Sequence, residues 1–321
     1  MTTSPGIADF ISRRAAPIPR FYGEALLDRA RRDPRILCLC ADLRASTETD
    51  IFREALPERF FDVGIAEANM LGIAGGLARC GFIPFVHTFS AFATRRCFDQ
   101  VAMQTAYPRL PVKIAGFLPG LTTFLGVSHQ AIDDVAMMRT LPNMTVIEPC
   151  GPEQMAAAVD AALAVDGPVY LRMKRPEGEV QPFTPRPLPL GRAERLREGR
   201  DVLVVAAGIM VPKALEAATL LAAEGIEARV LNMASLKPID ADAILEGARH
   251  CGRVVTAENH LVTGGLGSVV AEILAEAGVP TRLRRVGLRD TFAEGASPAW
   301  LQEKYGLTAE AIVAAARELA G

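Results

Sequence analysis

Short apolar runs of strand length alternate with longer helical stretches along this chain, in two successive series. The strand-like runs of the first series include RILCLCA and IPFVHTF, and they lie at residues 35–41, 83–89, 111–117, 145–149 and 168–175. Helical stretches lie between them, at residues 67–81, 92–106, 130–140 and 152–165. Strands that are apolar throughout, rather than at alternate positions, are typical of a parallel sheet with helices on both faces. The alternation therefore predicts an α/β fold with doubly wound parallel sheets.

The second series begins with DVLVVAAG at residue 201 and continues to the end of the sequence. A segment rich in proline, glycine and charged residues precedes it, and we interpret residues 186–200 as a linker. A length of 321 residues, half of them apolar, is sufficient for two hydrophobic cores. The sequence therefore predicts two domains, at residues 1–185 and 201–321.

Charge and cysteine content exclude several classes of function. The net charge of −2 and the absence of a basic block argue against nucleic-acid or membrane-surface binding. No apolar run approaches the ~20 residues that span a bilayer, and the first 20 residues lack the apolar core of a signal peptide. The six cysteines are scattered and form no metal quartet. We therefore expect a cytoplasmic protein whose thiols are reduced, with no metal site of its own.

Three segments at predicted strand–helix junctions carry residues suited to chemistry. Glu67 follows a strand-like run and begins an almost wholly apolar helix, where it either interacts with the helix dipole or serves as a desolvated acid. Phe89 and Phe92 lie three apart and either fill the core or line a flat pocket. His129 lies at a probable helix start, and Asp133 four residues later is a candidate partner on the helix surface. Each signal is weak when taken alone.

The order of these segments resembles the transketolase family. GIAEANM, HTFSAFATRRCFDQ and SHQAIDDVAMMRTLPNMTVIEP resemble the family's pyrimidine-binding domain. LKPID, AENHLVTGGLGSVVAEIL and VGLRDTF resemble its C-terminal domain, so the likeness covers nearly the whole chain. Deoxyxylulose-phosphate synthase and the β subunits of 2-oxo-acid dehydrogenases share this layout. The resemblance implies a thiamine diphosphate enzyme of the transketolase type, with those two reactions and a non-catalytic regulatory partner as alternatives.

The resemblance also implies a role for residues around the cofactor. Glu67 matches the glutamate that hydrogen-bonds the aminopyrimidine ring of thiamine diphosphate, and an apolar setting would help that carboxyl hold a proton. Phe89 and Phe92 match the aromatic wall beside that ring, and Asp42 matches an aspartate beside the thiazolium. His129 matches a histidine that faces the reacting carbons and relays protons.

A second set of residues matches groups that bind the sugar substrate. Arg175 falls on the family's phosphate-binding arginine, Ser46 on a serine that contacts the phosphate, and Arg20 on a second phosphate contact. His87 lies next to the pyrimidine wall, where transketolases carry glycine, and we expect it to contact substrate. Phe117 and Leu125 replace a phosphate-binding histidine and a hydroxyl-reading aspartate, so the resemblance implies a more apolar sugar pocket.

One sequence motif typical of thiamine diphosphate enzymes does not occur in this sequence. Thiamine enzymes bind the diphosphate through Mg²⁺ held by a Gly-Asp-Gly motif and a later asparagine, and no Gly-Asp-Gly occurs here. The glycine-rich run TGGLGS at residues 263–268 precedes a helix, and we interpret it as a packing loop. The resemblance therefore implies a partner subunit that carries the diphosphate and magnesium site, in an α₂β₂ enzyme acting on sugar phosphates.

Overall fold

The computed structural model describes residues 19–176 and 183–320 of the chain. Residues 1–18 and 177–182, which belong to the first predicted domain, lie outside the described residues. Two sheets with helices packed on them account for most of the described chain. The prediction of two α/β units with mostly parallel sheets is therefore confirmed.

The described strands follow the order of the chain: β1 (Ile36–Cys40), β2 (Phe60–Asp62), β3 (Ile83–Phe89), β4 (Lys113–Phe117), β5 (Thr145–Ile147), β6 (Val169–Met173), β7 (Glu194–Arg197), β8 (Val202–Ala206), β9 (Ala228–Asn232), β10 (Ser235–Lys237), β11 (Arg253–Leu261) and β12 (Arg282–Leu288). The described α-helices are α1 (Phe21–Arg32), α2 (Asp50–Ala55), α3 (Glu67–Arg79), α4 (Ser90–Thr94), α5 (Phe98–Gln100), α6 (Asp134–Thr140), α7 (Met155–Leu163), α8 (Met210–Ala222), α9 (Ala241–Cys251), α10 (Leu266–Glu276), α11 (Pro298–Lys304) and α12 (Ala309–Ala320). A π-helical turn at Val101–Ala106 continues α5.

The first sheet has the strand order β10-β5-β6-β4-β3-β1-β2, and the second has the order β12-β11-β8-β9-β7. All neighbouring strands are parallel except at one edge of each sheet. Every residue of β1, β4, β6, β8 and β9 is buried, because helices cover both faces. That burial is the physical reason for the uninterrupted apolar runs in the sequence.

The two antiparallel edge strands were not predicted. β7 lies inside the segment interpreted as a linker and pairs with β9, so residues 186–200 are not a plain connection. β10 comes from the second half of the chain but pairs with β5 of the first sheet. Edge strands such as the charged Glu194–Arg197 have one unpaired side and do not need an apolar run, so the pattern that predicted the other strands cannot detect them.

Helix α1 is a further element that the sequence pattern did not predict. Tyr22, Leu26 and Ala30 recur every four residues along it and are fully buried. They pack into the same core cluster as Ile36, which begins β1. Helix α1 therefore covers the first sheet beside the carboxyl ends of β1 and β3, where parallel α/β sheets bind ligands.

Candidate active site

Glu67 begins helix α3 and is 1% exposed, although its side chain is charged. The apolar face of the helix, formed by Met70, Leu71 and Ala74, packs into the core and holds the carboxylate at the surface of the first sheet. Arg96 Nη1 donates to both carboxylate oxygens, at 3.0 and 2.9 Å. The apolar setting expected from the sequence is therefore only part of the environment. The carboxylate is buried and is also paired with a guanidinium.

Two phenylalanines and a histidine lie together at the end of β3. The rings of Phe89 and Phe92 have centroids 6.0 Å apart, and the ring of His129 lies 5.0 Å from Phe92 and 6.0 Å from Phe89. The Arg96 guanidinium carbon lies 4.0 Å from the centroid of Phe92. Arg96 thus connects Glu67 to the aromatic pair, and the predicted residues Glu67, Phe89, Phe92 and His129 form one contiguous group.

Arg95 fixes the loop that carries His129. Its Nε donates to both carboxylate oxygens of Asp133, at 2.8 and 2.9 Å, and its Nη2 donates to the Gln130 carbonyl at 2.8 Å. Asp133 is therefore the partner of Arg95, while His129 Nδ1 contacts Ser128 Oγ at 2.9 Å. Burial and the nearby Arg96 lower the pKa of His129. His129 is consequently neutral near pH 7 and can accept a proton.

Sequence reasoning missed both arginines, Arg95 and Arg96, as site residues. The available signal was the pair itself, two adjacent cations directly after a short helix that starts at a strand end. Neighbouring side chains point in different directions, and here Arg96 contacts Glu67 while Arg95 contacts Asp133. A pattern of single residues does not contain that information.

The residues predicted to hold an anionic substrate group lie around Glu48. Arg20 forms an ion pair with Asp50 at 2.6 Å, and Arg175 Nη1 donates to the Ala45 carbonyl at 3.3 Å, next to Ser46 in the chain. Burial raises the pKa of Glu48 to about 7, against the amides of Gly23 and Tyr22 and the charges of Arg175 and Arg20. The charges of Arg20 and Arg175 thus both act on the same buried acid.

Glu48 itself is fully buried and has a left-handed backbone, with φ 61°. Its Oε2 accepts from the backbone amides of Tyr22 and Gly23, both at 3.0 Å, and so caps the first turn of α1. Asp42 follows β1 at the same edge of the sheet with an exposed side chain and a φ of 55°. Its amide donates to Asp62 Oδ1 at 3.1 Å.

His87 and Phe117 are buried in the core of the first domain. His87 is fully buried, with Nε2 2.8 Å from the Tyr22 hydroxyl and Nδ1 2.9 Å from the Leu39 carbonyl, and burial lowers its pKa to about 4. Phe117 is also fully buried, and its ring packs edge-on against Tyr22 at 5.5 Å. Helix α1 covers both side chains through Tyr22, and the expected contact of His87 with substrate stays a prediction. Leu125, in contrast, is 41% exposed.

The glycine-rich run at residues 263–268 binds a carboxylate of its own chain. Glu258 accepts from the amides of Leu266 and Gly267 at 2.7 and 2.8 Å, at the start of α10. A Cβ on Gly265 would lie 2.0 Å from Glu258 Oε2, so only glycine allows this close approach. The internal carboxylate agrees with the interpretation of this run as a packing loop.

The described residues contain neither a metal cluster nor a membrane-spanning helix. No cluster of three or more His, Cys, Asp or Glu side chains in residues 19–176 and 183–320 is arranged to hold a metal ion. No helix in the same ranges is both long and apolar enough to cross a bilayer. The six cysteines are free thiols.

The fold and the site define a class of protein. Residues 17–180 match the family model "Transketolase, pyrimidine binding domain", and residues 191–312 match "Transketolase, C-terminal domain". The chain belongs to the transketolase family, and the family prediction is confirmed.

Individual relatives make the comparison more specific. The chain is 50% identical over 304 residues to a 6-deoxy-6-sulfo-D-fructose transketolase subunit of Clostridium sp. (strain MSTE9), covering 93% of this chain and 92% of that protein. It is 38% identical to 1-deoxy-D-xylulose-5-phosphate synthase of Symbiobacterium thermophilum, but spans only 46% of that protein. A solved structure, described as a split-gene transketolase in an inactive β4 tetramer, superposes with a TM-score of 0.87 at 49% identity. That likeness covers 94% of this chain and 97% of the solved chain.

Proposed function

We propose that this chain is one subunit of a thiamine-diphosphate-dependent transketolase that transfers a two-carbon ketol unit between sugar substrates. The observation that carries the proposal is the buried carboxylate of Glu67 beside the rings of Phe89, Phe92 and His129. A structural subunit would have no need of a charged side chain that is 1% exposed at this edge of the sheet. The alignment covers 93% of this chain and 92% of its subunit-type relative, which supports the same separation of the enzyme into two subunits.

The residues present fit one half of thiamine diphosphate and not the other. A buried carboxylate next to two aromatic rings suits a flat aminopyrimidine that can both stack and hydrogen-bond. The diphosphate needs a metal ion and its oxygen ligands, and no such cluster lies in residues 19–176 or 183–320. We therefore propose that a partner subunit holds the diphosphate and Mg²⁺. When bound, the cofactor supplies a carbon nucleophile for attack on the sugar carbonyl.

The residues of this chain would transfer protons and orient the aminopyrimidine ring. Glu67 would hold a proton at the aminopyrimidine ring nitrogen, since water has little access to its carboxyl group. Phe89 and Phe92 would fix the plane of that ring. Neutral His129 would accept a proton from a sugar hydroxyl and return it later. Asp42, exposed at the end of β1, is our candidate for a contact with the thiazolium.

Arg175, Arg20 and Ser46 would bind the charged end of the sugar. A guanidinium fork can donate two parallel hydrogen bonds to two oxygens of either a phosphate or a sulfonate group. The relative from Clostridium is named for a sulfonated sugar, and by analogy we propose a substrate with an anionic end group for this chain. The exposed Leu125 adds an apolar contact where the family reads a hydroxyl.

The partner subunit would dock on the surface formed by α3 and the π-helical turn. These two elements pack closely, since a Cβ on Gly75 would lie 2.8 Å from the Gln104 carbonyl oxygen. Their outward surface carries exposed apolar side chains, and Gly72 and Gly76 face open space. The exposed apolar residues on these two elements, or directly beside them in the chain, are Ile65, Ile73, Met103 and Tyr107. Because this surface begins beside Glu67, a chain that carries the diphosphate end of the cofactor must reach the same edge.

Reconstitution tests the proposal directly. We expect the purified chain to have no transketolase activity, and to gain Mg²⁺-dependent activity when a partner with a Gly-Asp-Gly diphosphate domain is added. A coupled assay would vary ketose donors and aldose acceptors independently, including phosphorylated and sulfonated sugars. Substantial turnover by the isolated chain would refute the division between two subunits.

A second candidate reaction is supported by the synthase relatives, to which the chain is 38–41% identical. A deoxyxylulose-phosphate-synthase reaction would consume pyruvate and release CO₂, whereas ketol transfer would not. The same reconstituted pair, supplied with pyruvate and glyceraldehyde 3-phosphate, separates the two reactions. Release of CO₂ with no transfer from any ketose would favour the synthase reaction.

A further inference from the structure

Arg96 contacts two surfaces at once, the carboxylate of Glu67 and the face of the Phe92 ring. A single nitrogen bridges both oxygens of Glu67, at 3.0 and 2.9 Å, and the guanidinium carbon lies 4.0 Å from the ring centroid. Resting on the proposed function, we propose that Arg96 is a positioning residue that holds Glu67 while no aminopyrimidine is bound and releases it when the cofactor binds.

The competition follows from the geometry. An aminopyrimidine that hydrogen-bonds Glu67 and stacks in the aromatic pocket needs the carboxylate edge that Arg96 now contacts. A carboxylate bridged by a guanidinium nitrogen has its best acceptor directions already in use. The guanidinium also covers one face of Phe92 and so narrows the space beside that ring. Arg96 and the aminopyrimidine therefore exclude one another.

The two partners differ in their freedom to move. The Glu67 side chain is 1% exposed and is fixed at the start of α3, where Met70, Leu71 and Ala74 anchor the helix in the core. The Arg96 side chain is 45% exposed at its end of the pair. Its head group can move into water at little energetic cost, as is usual for long cationic side chains. Arg96 is therefore the partner that moves.

Within this chain the ion pair compensates for the burial of Glu67. A buried carboxylate without a partner is costly, so Arg96 stabilises the chain until the cofactor and its subunit arrive. Thr88 Oγ1 lies 3.4 Å from Glu67 Oε1 and makes only a long contact. Arg96 is consequently the main partner of Glu67 among the described residues.

The first experiment uses the isolated chain and a double-mutant cycle. Thermal unfolding of wild type, Arg96→Met, Glu67→Gln and the double variant measures the coupling between the two side chains. We expect Arg96→Met to lower the melting temperature of wild type clearly and that of Glu67→Gln only slightly. Arg79→Met is the matched control, because Arg79 is an exposed arginine in the last turn of the same helix α3. Equal effects in both backgrounds would show that the pair is incidental and would overturn the proposal.

The second experiment measures thiamine diphosphate binding to the reconstituted complex by titration calorimetry at saturating Mg²⁺. Removing the competitor in Arg96→Met should tighten binding by about 3- to 10-fold, and Arg96→Lys should give a smaller change. If wild type binds thiamine diphosphate and Arg96→Met binds it equally or more weakly, the proposed role of Arg96 is wrong. The proposed function is then unaffected. A wild-type complex that binds no cofactor would instead overturn the proposed function, and the exchange with it. Arg96→Lys keeps the charge and provides the test if Arg96→Met does not fold.

Discussion

Glu67 is the residue on which the proposed chemistry depends most directly. Replacing it with glutamine keeps the shape and one hydrogen-bond acceptor but removes the acid. We expect Glu67→Gln to leave the fold intact and to slow turnover by about 10²- to 10⁴-fold, the usual contribution of a general acid–base group. The measurement is kcat/KM of the reconstituted enzyme, together with the rate of deuterium exchange at C2 of thiamine diphosphate followed by NMR.

Glu58→Gln is a suitable control for that variant, because Glu58 is 66% exposed on the same domain. If Glu67→Gln exchanges the C2 proton at the wild-type rate, the carboxylate has only a helix-terminal role. A loss of activity in a variant that is unfolded at the assay temperature would point to misfolding instead. The two readouts together separate chemistry from structure.

At the residue scale, the sequence predicted those site residues whose location follows from a nearby strand end. Glu67, Phe89 and Phe92 lie within a few residues of a strand end, so the strand pattern alone brings them to one edge of the sheet. The burial of His87 depends on Tyr22, which lies far away in the chain and belongs to a helix that the pattern did not predict. Partners that come from distant segments determine whether a polar residue faces substrate or core, and no local spacing reports them.

At the scale of elements, helix α3 has two faces, and we propose a separate role for each. The inner face holds Glu67 in place, and the outer face exposes Ile73, Gly72 and Gly76. Glycines on an exposed helix face allow another chain to approach closely. We therefore expect Ile73→Glu to weaken binding of the partner subunit by about 10- to 100-fold, because the new charge would be buried without a partner.

Sedimentation velocity with the purified partner measures this effect. Leu220→Glu is the matched control, since Leu220 is similarly exposed on α8 of the second sheet, away from Glu67. Equal affinities for wild type and Ile73→Glu would show that the partner binds elsewhere. Weakening by both variants would indicate a general effect of charge.

Elements with both faces covered were predicted well, and those at the edges were not. The predicted run 83–89 coincides with β3, and the predicted helix from residue 67 begins where α3 begins. Strands β7 and β10 are three or four residues long and lie at sheet edges. Short edge strands are specified by their neighbours rather than by their own composition. Their pairing therefore requires the three-dimensional structure.

At the scale of the whole molecule, a buried ionic network joins the two sheets. Arg172 on β6 is fully buried and donates to Asp134 at 2.8 Å, to Glu148 at 2.6 Å and to the Asn259 carbonyl of β11 at 2.8 Å. Burial acts to raise the pKa of Asp134, but Arg172, together with His260 and Tyr170, outweighs burial and the pKa is lowered. For Glu148, burial has the larger effect and the pKa is raised. The network links the first sheet to the second through one guanidinium.

We expect Arg172→Met to lower the free energy of unfolding by about 3–5 kcal/mol, because it leaves buried carboxylates without their cation. Arg284→Met is the control, since Arg284 pairs with Glu318 at the surface, where a pair contributes about 1 kcal/mol or less. Differential scanning calorimetry measures both variants. A separate early transition in Arg172→Met would show that the network couples the two sheets, and a melting curve equal to that of the control would contradict this role.

The position of β10 in the first sheet has a consequence for how this protein is made. Translation delivers β1 to β6 first, but the strand that pairs with β5 leaves the ribosome only after β7, β8 and β9. Until then the nascent chain carries an uncovered strand edge, which is a template for pairing with other chains. Ser235–Lys237 closes that edge, and Lys237 Nζ then donates to the carbonyls of Arg139 and Leu141 at 2.9 and 2.6 Å. The N-terminal sheet is therefore completed only after residues 235–237, beyond the first strands of the second sheet, have been synthesised.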